Sequence, residues 1–572
     1  MFSLDALLQA LHPDRKFPDW QRYLLRKLVY EKAFQQIADD YPHLKGLDLI
    51  EQVINDFNIH CELSHSDLEN IPAQGPVVLV ANHPIGSLDA LVLLQTVAKV
   101  RPDVKVMTTP LLSYIDPLRS LFISVDNINH RTHRRQIHEV MTHLTNQHAL
   151  IIFPAGEVSR LSLTGIQDGP WLSGFLRLAA KVNAPIVPVH IQARNSALFY
   201  TASLFYRPLS TLLLVRELFT HQNAQLKLKI GRRISFHRWH SHQYDDKALA
   251  ERFRQHVYRL AKGKEGLFET EAPIALAENR TQLRKALTLC EVLGITPDNK
   301  IIYLYRRGED IDSPVLRELG RLREIAFRAV GEGSGRRRDL DKYDDDYCHL
   351  VLWDDAELEI VGAYRFIATA KQISEKGIEG IYTHIFFDYD DSMQPILAQG
   401  IELGRSFIQP KYWGKRGLDY LWLGIGAYLA KYPQYRYLFG PVSISGDMPK
   451  AGRDLLVAFY RLYFSQPNPS ATSRSPYPPS LPQVLAQFSG KDYANDLVKL
   501  KSLLGNLGCS IPTLYKQYAE LCEPGGVQFL DFGIDDAFNS IDGLVLVDIS
   551  QLKPSRYQRY IAVHQKPTES TS

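Results

Sequence analysis

Apolar residues recur at helical spacing through residues 1–70, in DALLQAL, RYLLRKLVYEKAFQQI and GLDLIEQVINDF, which predicts a helical preamble. From Pro76 the pattern changes to short apolar runs alternating with helix-like stretches: PVVLVAN, ALVLLQTVAKV, VKVMTT, ALIIFPAG, GFLRLAAKV and APIVPVHI. Strands interleaved with helices predict an α/β domain, and the preamble and this domain together make residues 1–262 one unit. Residues 263–298 carry mixed charge and little periodicity, which predicts a linker. Beyond it, IIYLYR, HLVLWD, EIVGAYRFIA and HIFFDY read as strands and PVLRELGRLREIAFRA as a helix. These predict a second α/β domain over 299–565, followed by a flexible tail at 566–572. Residues 465–482 are rich in proline and serine, a composition that excludes a helix or a central strand and predicts an exposed loop.

At 572 residues the chain exceeds what one hydrophobic core serves, in keeping with two substantial domains. Its 45% hydrophobic and 23% charged residues are those of a folded protein. A formal charge of +3, without a long basic run, gives no support to nucleic acid as a partner. Local basic clusters stand at Arg131, His133, Arg134 and Arg135, at Arg232 and Arg233, and at Arg336, Arg337 and Arg338; each is either solvated surface or a face for anionic lipid. Cys61, Cys290, Cys348, Cys509 and Cys522 are scattered, so neither a disulfide framework nor a metal site is indicated and a reducing cytoplasm is expected. The opening MFSLDALLQALHPD lacks the basic leader and long apolar core of a secretory signal. No uncharged apolar stretch is long enough for a membrane span. Residues 198–219, LFYTASLFYRPLSTLLLVRELF, suit either a segment lying in the membrane interface or a buried helix pair beneath an acyl site.

Two regions carry candidate chemistry. In VVLVANHPIGSLDALVLL, Asn82, His83 and Asp89 fall where an apolar strand gives way to a helix. A histidine oriented there by a carboxylate can take the proton of a substrate hydroxyl, so that the oxygen attacks an acyl thioester. Downstream, ALIIFPAGEVSR ends a buried strand in Pro154, Gly156, Glu157, Ser159 and Arg160, and NAPIVPVHI brackets another strand with Pro185 and Pro188. In this order and spacing the three segments resemble the glycerolipid acyltransferase family, over roughly residues 70–240. The resemblance implies His83 as general base, Asp89 as its orienting carboxylate, and Asn82, Gly156, Glu157, Ser159 and Arg160 about the acceptor. Five residues, Pro84 to Leu88, separate His83 from Asp89 where the family has four. Asn127, Ala155 and Val158 stand where phosphate-using members carry two arginines and a glutamate. Losing those guanidinium groups points to an acceptor without phosphate.

The second region spans residues 317–365 and 400–429. An acidic cluster, Asp339, Asp341, Asp344, Asp345 and Asp346, precedes an apolar strand, and GIELGRSFIQPKYWGKRGLDYLWLGIGAYL joins a strand bearing Glu402 and Arg405 to an apolar helix. The start of such a helix offers free backbone N–H groups to an anionic carrier arm. An amino acid presents a carboxylate, which suits Arg365 or Arg405, and ammonium groups, which suit Asp341, Asp344 or Glu402. The set Arg323 with Phe327, Asp341-x-x-Asp344, Arg365 and Glu402-x-x-Arg405 resembles the GNAT-type N-acyltransferases that make lyso-ornithine lipid, relatives of the acyl-homoserine-lactone synthases.

Together the two resemblances match the bifunctional ornithine-lipid synthases. They imply an α/β protein of two domains, an acyltransferase-like one with its helical preamble and a GNAT-like, autoinducer-synthase-like one. They also imply N-acylation of ornithine from a 3-hydroxyacyl thioester on acyl carrier protein, then O-acylation of the 3-hydroxyl. No bound cofactor is implied, and the place of action would be the cytoplasmic face of the bacterial inner membrane. Two alternatives stay open: an acyltransferase with one inactive domain, and a membrane-binding scaffold without catalysis.

Overall fold

The computed structural model describes residues 18–565, apart from 29, 109–114, 126–133, 163–164, 197–198, 201–216, 218, 220, 241–243 and 309–311. The chain divides into two compact units, Met1–Pro273 and Ile274–Ser572.

In the first unit, described helices Asp19–Leu28, Glu31–Asp40 and Gly46–Asp56 form the preamble. A seven-stranded sheet follows, ordered β1 (His60–Glu62), β9 (Gln225–Ile230), β8 (Ile186–Gln192), β2 (Val77–Ala81), β5 (Ala149–Ile152), β3 (Lys105–Thr108) and β4 (Phe122–Ser124). Every neighbouring pair is parallel except β8 with β9. The unbroken VVLVA run has a direct cause: β2 is central and buried on both faces. Val77, Leu79 and Ala81 enter one core with helix α1 (Ser87–Ala98), while Val78 and Val80 enter the other with helix α2 (Asp246–Ala261). A small antiparallel ribbon, β6 (Arg160–Ser162) with β7 (Gly165–Gln167), extends from the end of β5.

The second unit is built on an eight-stranded sheet. Its order is β10 (Glu291–Ile295), β11 (Ile301–Tyr305), β12 (Cys348–Asp354), β13 (Glu359–Ala368), β15 (Gly400–Ile408), β16 (Tyr437–Ser445), β19 (Ser540–Asp548) and β18 (Val527–Asp535). Strands β14 (Phe387–Tyr389) and β17 (Ala471–Ser473) form a separate pair. Helix α3 (Pro314–Arg328) covers one face, while helix α4 (Gly417–Lys431) packs on β12 and β13 in the larger core. All pairs in the large sheet are antiparallel except β15 with β16, which are parallel and joined only from Gly400 to Glu402. Beyond Glu402 the two strands part. The register between β13 and β15 also shifts there, and Arg405 takes a left-handed backbone with φ of 49°, as in a β-bulge.

Two readings of the sequence change. Much of 263–298 is built into the second unit: helix Arg280–Leu287 buries Leu283 and Leu287, and β10 pairs with β11. HIFFDY is strand only at Phe387–Tyr389, because Tyr382–Ile385 winds into a 3-10 turn. The tail at 566–572 and most of 198–219 lie outside the described residues, as do Asn127, Arg131 and His133.

Candidate active sites

In the first unit the chain leaves β2 at Asn82 and enters α1 at Ser87. Asn82 is buried and bridges to β8, donating to the Ile191 carbonyl at 2.9 Å and accepting from the Ile191 N–H at 2.7 Å. It fixes the end of the strand rather than facing a substrate. Gly86 turns the chain with φ of 95°, a conformation that suits glycine, and the five-residue spacing closes. His83 Nδ1 lies 3.1 Å from Asp89 Oδ2, an oxygen that also accepts from the N–H groups of Ile85 (2.9 Å) and Gly86 (3.1 Å). The Asp89 side chain is fully buried, whereas that of His83 is 19% exposed. Nδ1–H donating to the carboxylate leaves Nε2 with its lone pair, the arrangement of a general base. Phe153 packs on the imidazole, with ring centroids 4.3 Å apart.

The remaining predicted residues of this site divide. Gly156 turns with φ of 67°, and Glu157 and Arg160 pair with one another at 3.0 Å, partly exposed. Ser159, by contrast, is buried, and its hydroxyl is taken by Asp168 Oδ1 at 2.5 Å, so it is not a substrate contact. Asp168 was not singled out by sequence reasoning; it lies 85 residues from His83, outside every quoted motif.

In the second unit the charged residues do gather, in layers. Deepest lies Asp344, 1% exposed, held by both terminal nitrogens of Arg323 at 2.9 and 2.8 Å and 3.1 Å from Arg365 Nη1. Burial pushes its carboxyl up, but the charges of Arg323 and Arg365 and the hydrogen bonds from Arg323 outweigh burial and hold it far below the ordinary carboxylate range. Arg323 is likewise buried and also donates to the Asp339 carbonyl. Arg323 and Asp344 therefore form a structural ion pair, not substrate contacts. Glu402 is buried to the same depth. It is 1% exposed and accepts from the Tyr347 hydroxyl, the Tyr382 N–H (3.1 Å), and the N–H and hydroxyl of Thr383 (2.6 and 2.5 Å). Four donors leave little room for a substrate amine, and burial raises its carboxyl. Phe327, in the last turn of α3, packs against the core.

Closer to the surface are Asp341 and Arg405, while Arg365, 1% exposed, is as buried as Asp344 and links the two layers. Arg365 Nη1 donates to Asp341 Oδ1 at 2.6 Å, its guanidinium lies 5.1 Å from the rings of both Tyr347 and Tyr382, and its buried Nε and Nη2 have no hydrogen-bond partner among the described residues. Arg405 lies over Tyr382 (5.0 Å) and Phe538 (4.4 Å) and reaches Asp341 Oδ2 at 3.4 Å. The β18–β19 hairpin carries two more carboxylates, Asp535 and Asp542. Asp535 accepts from the Ala537 and Phe538 N–H groups, and Asp542 from the Ser540 hydroxyl. Neither has a cation within ion-pair distance among the described residues. Burial, with Asp535 nearby, pushes Asp542 up to about 6. Burial, reinforced by Asp542, Asp447 and Asp535, pushes Glu332 up to about 8. The charge of Arg405 acts on both Asp535 and Asp542, so a guanidinium and two acids without a cation partner among the described residues share one region, a charge pattern complementary to an amino acid.

A further cavity, of about 390 Å³, opens at the start of α4, lined by Lys300, Lys411, Lys415, Arg416 and Gly417 with Asp298, Asp354 and Glu357.

Comparison with known proteins adds to these sites. Residues 8–244 match the family model described as Acyltransferase, and residues 322–423 the model described as Acetyltransferase (GNAT) domain. A glycine N(alpha)-acyltransferase of Bacteroides thetaiotaomicron is 34% identical over 36% of this chain and 66% of its own length, just under two thirds. A lyso-glycine lipid O-acyltransferase of Phocaeicola vulgatus is 25% identical over 37% of this chain and 77% of its own. An L-ornithine N(alpha)-acyltransferase of Agrobacterium fabrum is 28% identical over 41% of this chain and 76% of its own.

Proposed function

We propose that the chain, which joins a segment matching the Acyltransferase model to one matching the GNAT model, is an acyltransferase that makes a phosphate-free aminolipid in two steps. The second unit transfers a 3-hydroxyacyl group from the thioester of acyl carrier protein to the α-amino group of ornithine. An amide forms as the thioester C–S bond breaks, and the amine proton passes by way of a carboxylate to the departing thiolate, which leaves as the thiol. The first unit then joins a second acyl chain to the 3-hydroxyl, with His83 taking the hydroxyl proton as the new ester forms and a second thiol leaves.

The observation that carries the reading is the His83–Asp89 pair, a partly exposed imidazole held at 3.1 Å by a buried carboxylate. In the second unit, Arg405 and Arg365 suit the acceptor carboxylate, and Asp341, only 22% exposed, suits the attacking amine. Asp535 and Asp542 favour an acceptor with a second ammonium, hence ornithine over glycine. Lys415, Arg416 and the free N–H groups opening α4 suit the phosphate of a carrier arm. No described helix is long and apolar enough to cross a membrane. The exposed Trp20 and Tyr23, beside Arg26 and Lys27, support peripheral contact with the inner face of the inner membrane.

Purified protein given 3-hydroxyacyl carrier protein and labelled ornithine tests the reading. A one-chain amide, followed by a two-chain product, is expected; Arg405→Ala should suppress the first product. Label remaining in free ornithine under all conditions would refute it.

A further inference from the structure

Asp168 follows β7, on the ribbon that extends from β5, and is 5% exposed. One carboxylate oxygen accepts from the His83 backbone N–H at 3.1 Å and from the Ser159 hydroxyl at 2.5 Å; the other accepts from the Trp171 indole at 2.9 Å. Ser159 in turn donates its own N–H to the His83 carbonyl at 2.7 Å. Both backbone groups of His83 are therefore tied to the Asp168–Ser159 couple, while Asp89 holds the ring. The Tyr258 hydroxyl accepts the Asp168 N–H at 2.8 Å, which joins the ribbon to α2.

Three donors converging on one side chain require a group that only accepts, and only a carboxylate does so on both oxygens. Among the described residues no cation pairs with it: Arg254 reaches only the Asp168 backbone carbonyl, at 3.4 Å, and gives its paired nitrogens to Glu251. Packing alone does not call for a buried charge here, since an apolar side chain of similar volume avoids its desolvation. A charge set behind a histidine that becomes cationic during proton transfer has a catalytic use.

We propose that Asp168 is a positioning residue of the first unit, locking the backbone of His83 against Ser159 and supplying a second carboxylate beside Asp89 as the imidazole gains its proton. The inference rests on His83 being the O-acylation base.

Asp168→Asn tests it in the full chain. The amide keeps the shape but loses the charge, and its NH2 opposes one of the three donors. O-acylation kcat is expected to fall about tenfold to a hundredfold, with KM for the one-chain lipid within about twofold. The acid limb of the pH–rate profile is expected to move to lower pH, because the imidazolium has lost a stabilising anion. N-acylation by the same preparation reports on the protein's integrity. Ser159→Ala, which retains the charge, should lower kcat about threefold to tenfold with the acid limb in place; it keeps the test decisive if Asp168→Asn does not fold. An O-acylation rate within twofold of the parent in the folded Asn variant, or an unmoved acid limb, overturns the inference, as does an unchanged rate in Ser159→Ala. His83→Ala separates this from the premise: O-acylation persisting in that variant defeats the base assignment itself, whereas its loss beside an unaffected Asp168→Asn defeats only the role of Asp168.

Discussion

Replacing Asp89 by asparagine isolates what orientation contributes to the first site. Asp89 Oδ2 serves the imidazole and two backbone N–H groups at 2.9 to 3.1 Å, with the side chain fully buried. Asparagine keeps an oxygen for the backbone donors, so the turn into α1 should survive. The charge is lost, while Nδ1–H, which shares Oδ2 with the two backbone donors, keeps an uncharged acceptor. A hydrogen bond to a charged group contributes about 1.5 to 3 kcal/mol, or about tenfold to 150-fold in rate. The assay is O-acylation of a purified one-chain aminolipid, with N-acylation followed in the same sample. We expect kcat to fall by about tenfold to 150-fold and KM to change by less than about threefold. A rate within about threefold of the parent would refute the dyad.

Further outcomes follow in the second unit. Asp344→Asn breaks a buried bidentate pair and should cost about 3 to 5 kcal/mol of stability, read by urea denaturation; an unchanged midpoint contradicts the structural assignment. Because Asp542 titrates at about 6, it is neutral below that pH and anionic above, while an amine of ordinary pKa near 10 stays cationic. The KM for ornithine should therefore fall as pH rises through 6 while that for norvaline, which lacks the second amine, stays level; parallel curves, or an unaltered ornithine curve in Asp542→Asn, count against the acidic pocket. In Gly440→Ala the new methyl would lie 1.9 Å from the Leu403 carbonyl oxygen, just past the last paired residues of β15 and β16. N-acylation should fall at least about tenfold while O-acylation persists, and full N-acylation would show the fork to be tolerant.

Much of the fold is legible because its cause is local. The VVLVA run declares a strand buried on both faces, and the His83 turn announces itself by its break into a helical pattern. The charged residues are legible as a set, yet their division of labour is not. Asp344 and Glu402 look like substrate groups in one dimension, and only burial and filled lone pairs mark them as internal. Asp168, Asp535 and Asp542 are harder still. Their meaning arises from strands far apart in sequence, and an isolated aspartate at a strand end ordinarily reads as a turn residue. The sequence of 280–295 hides its structure for the opposite reason: its edge strand β10 leaves Val292 and Ile295 exposed, so the apolar pattern that signals a strand is weak.

Lipid mass spectrometry of a bacterial host that makes no aminolipid tests the central claim most directly. Expression of the chain should yield a phosphorus-free amino-acid lipid with two acyl chains, and His83→Ala should leave the one-chain form to accumulate. A two-chain lipid still made by the His83→Ala variant, or no new lipid from the parent chain, would contradict the assignment of one acyl transfer to each unit.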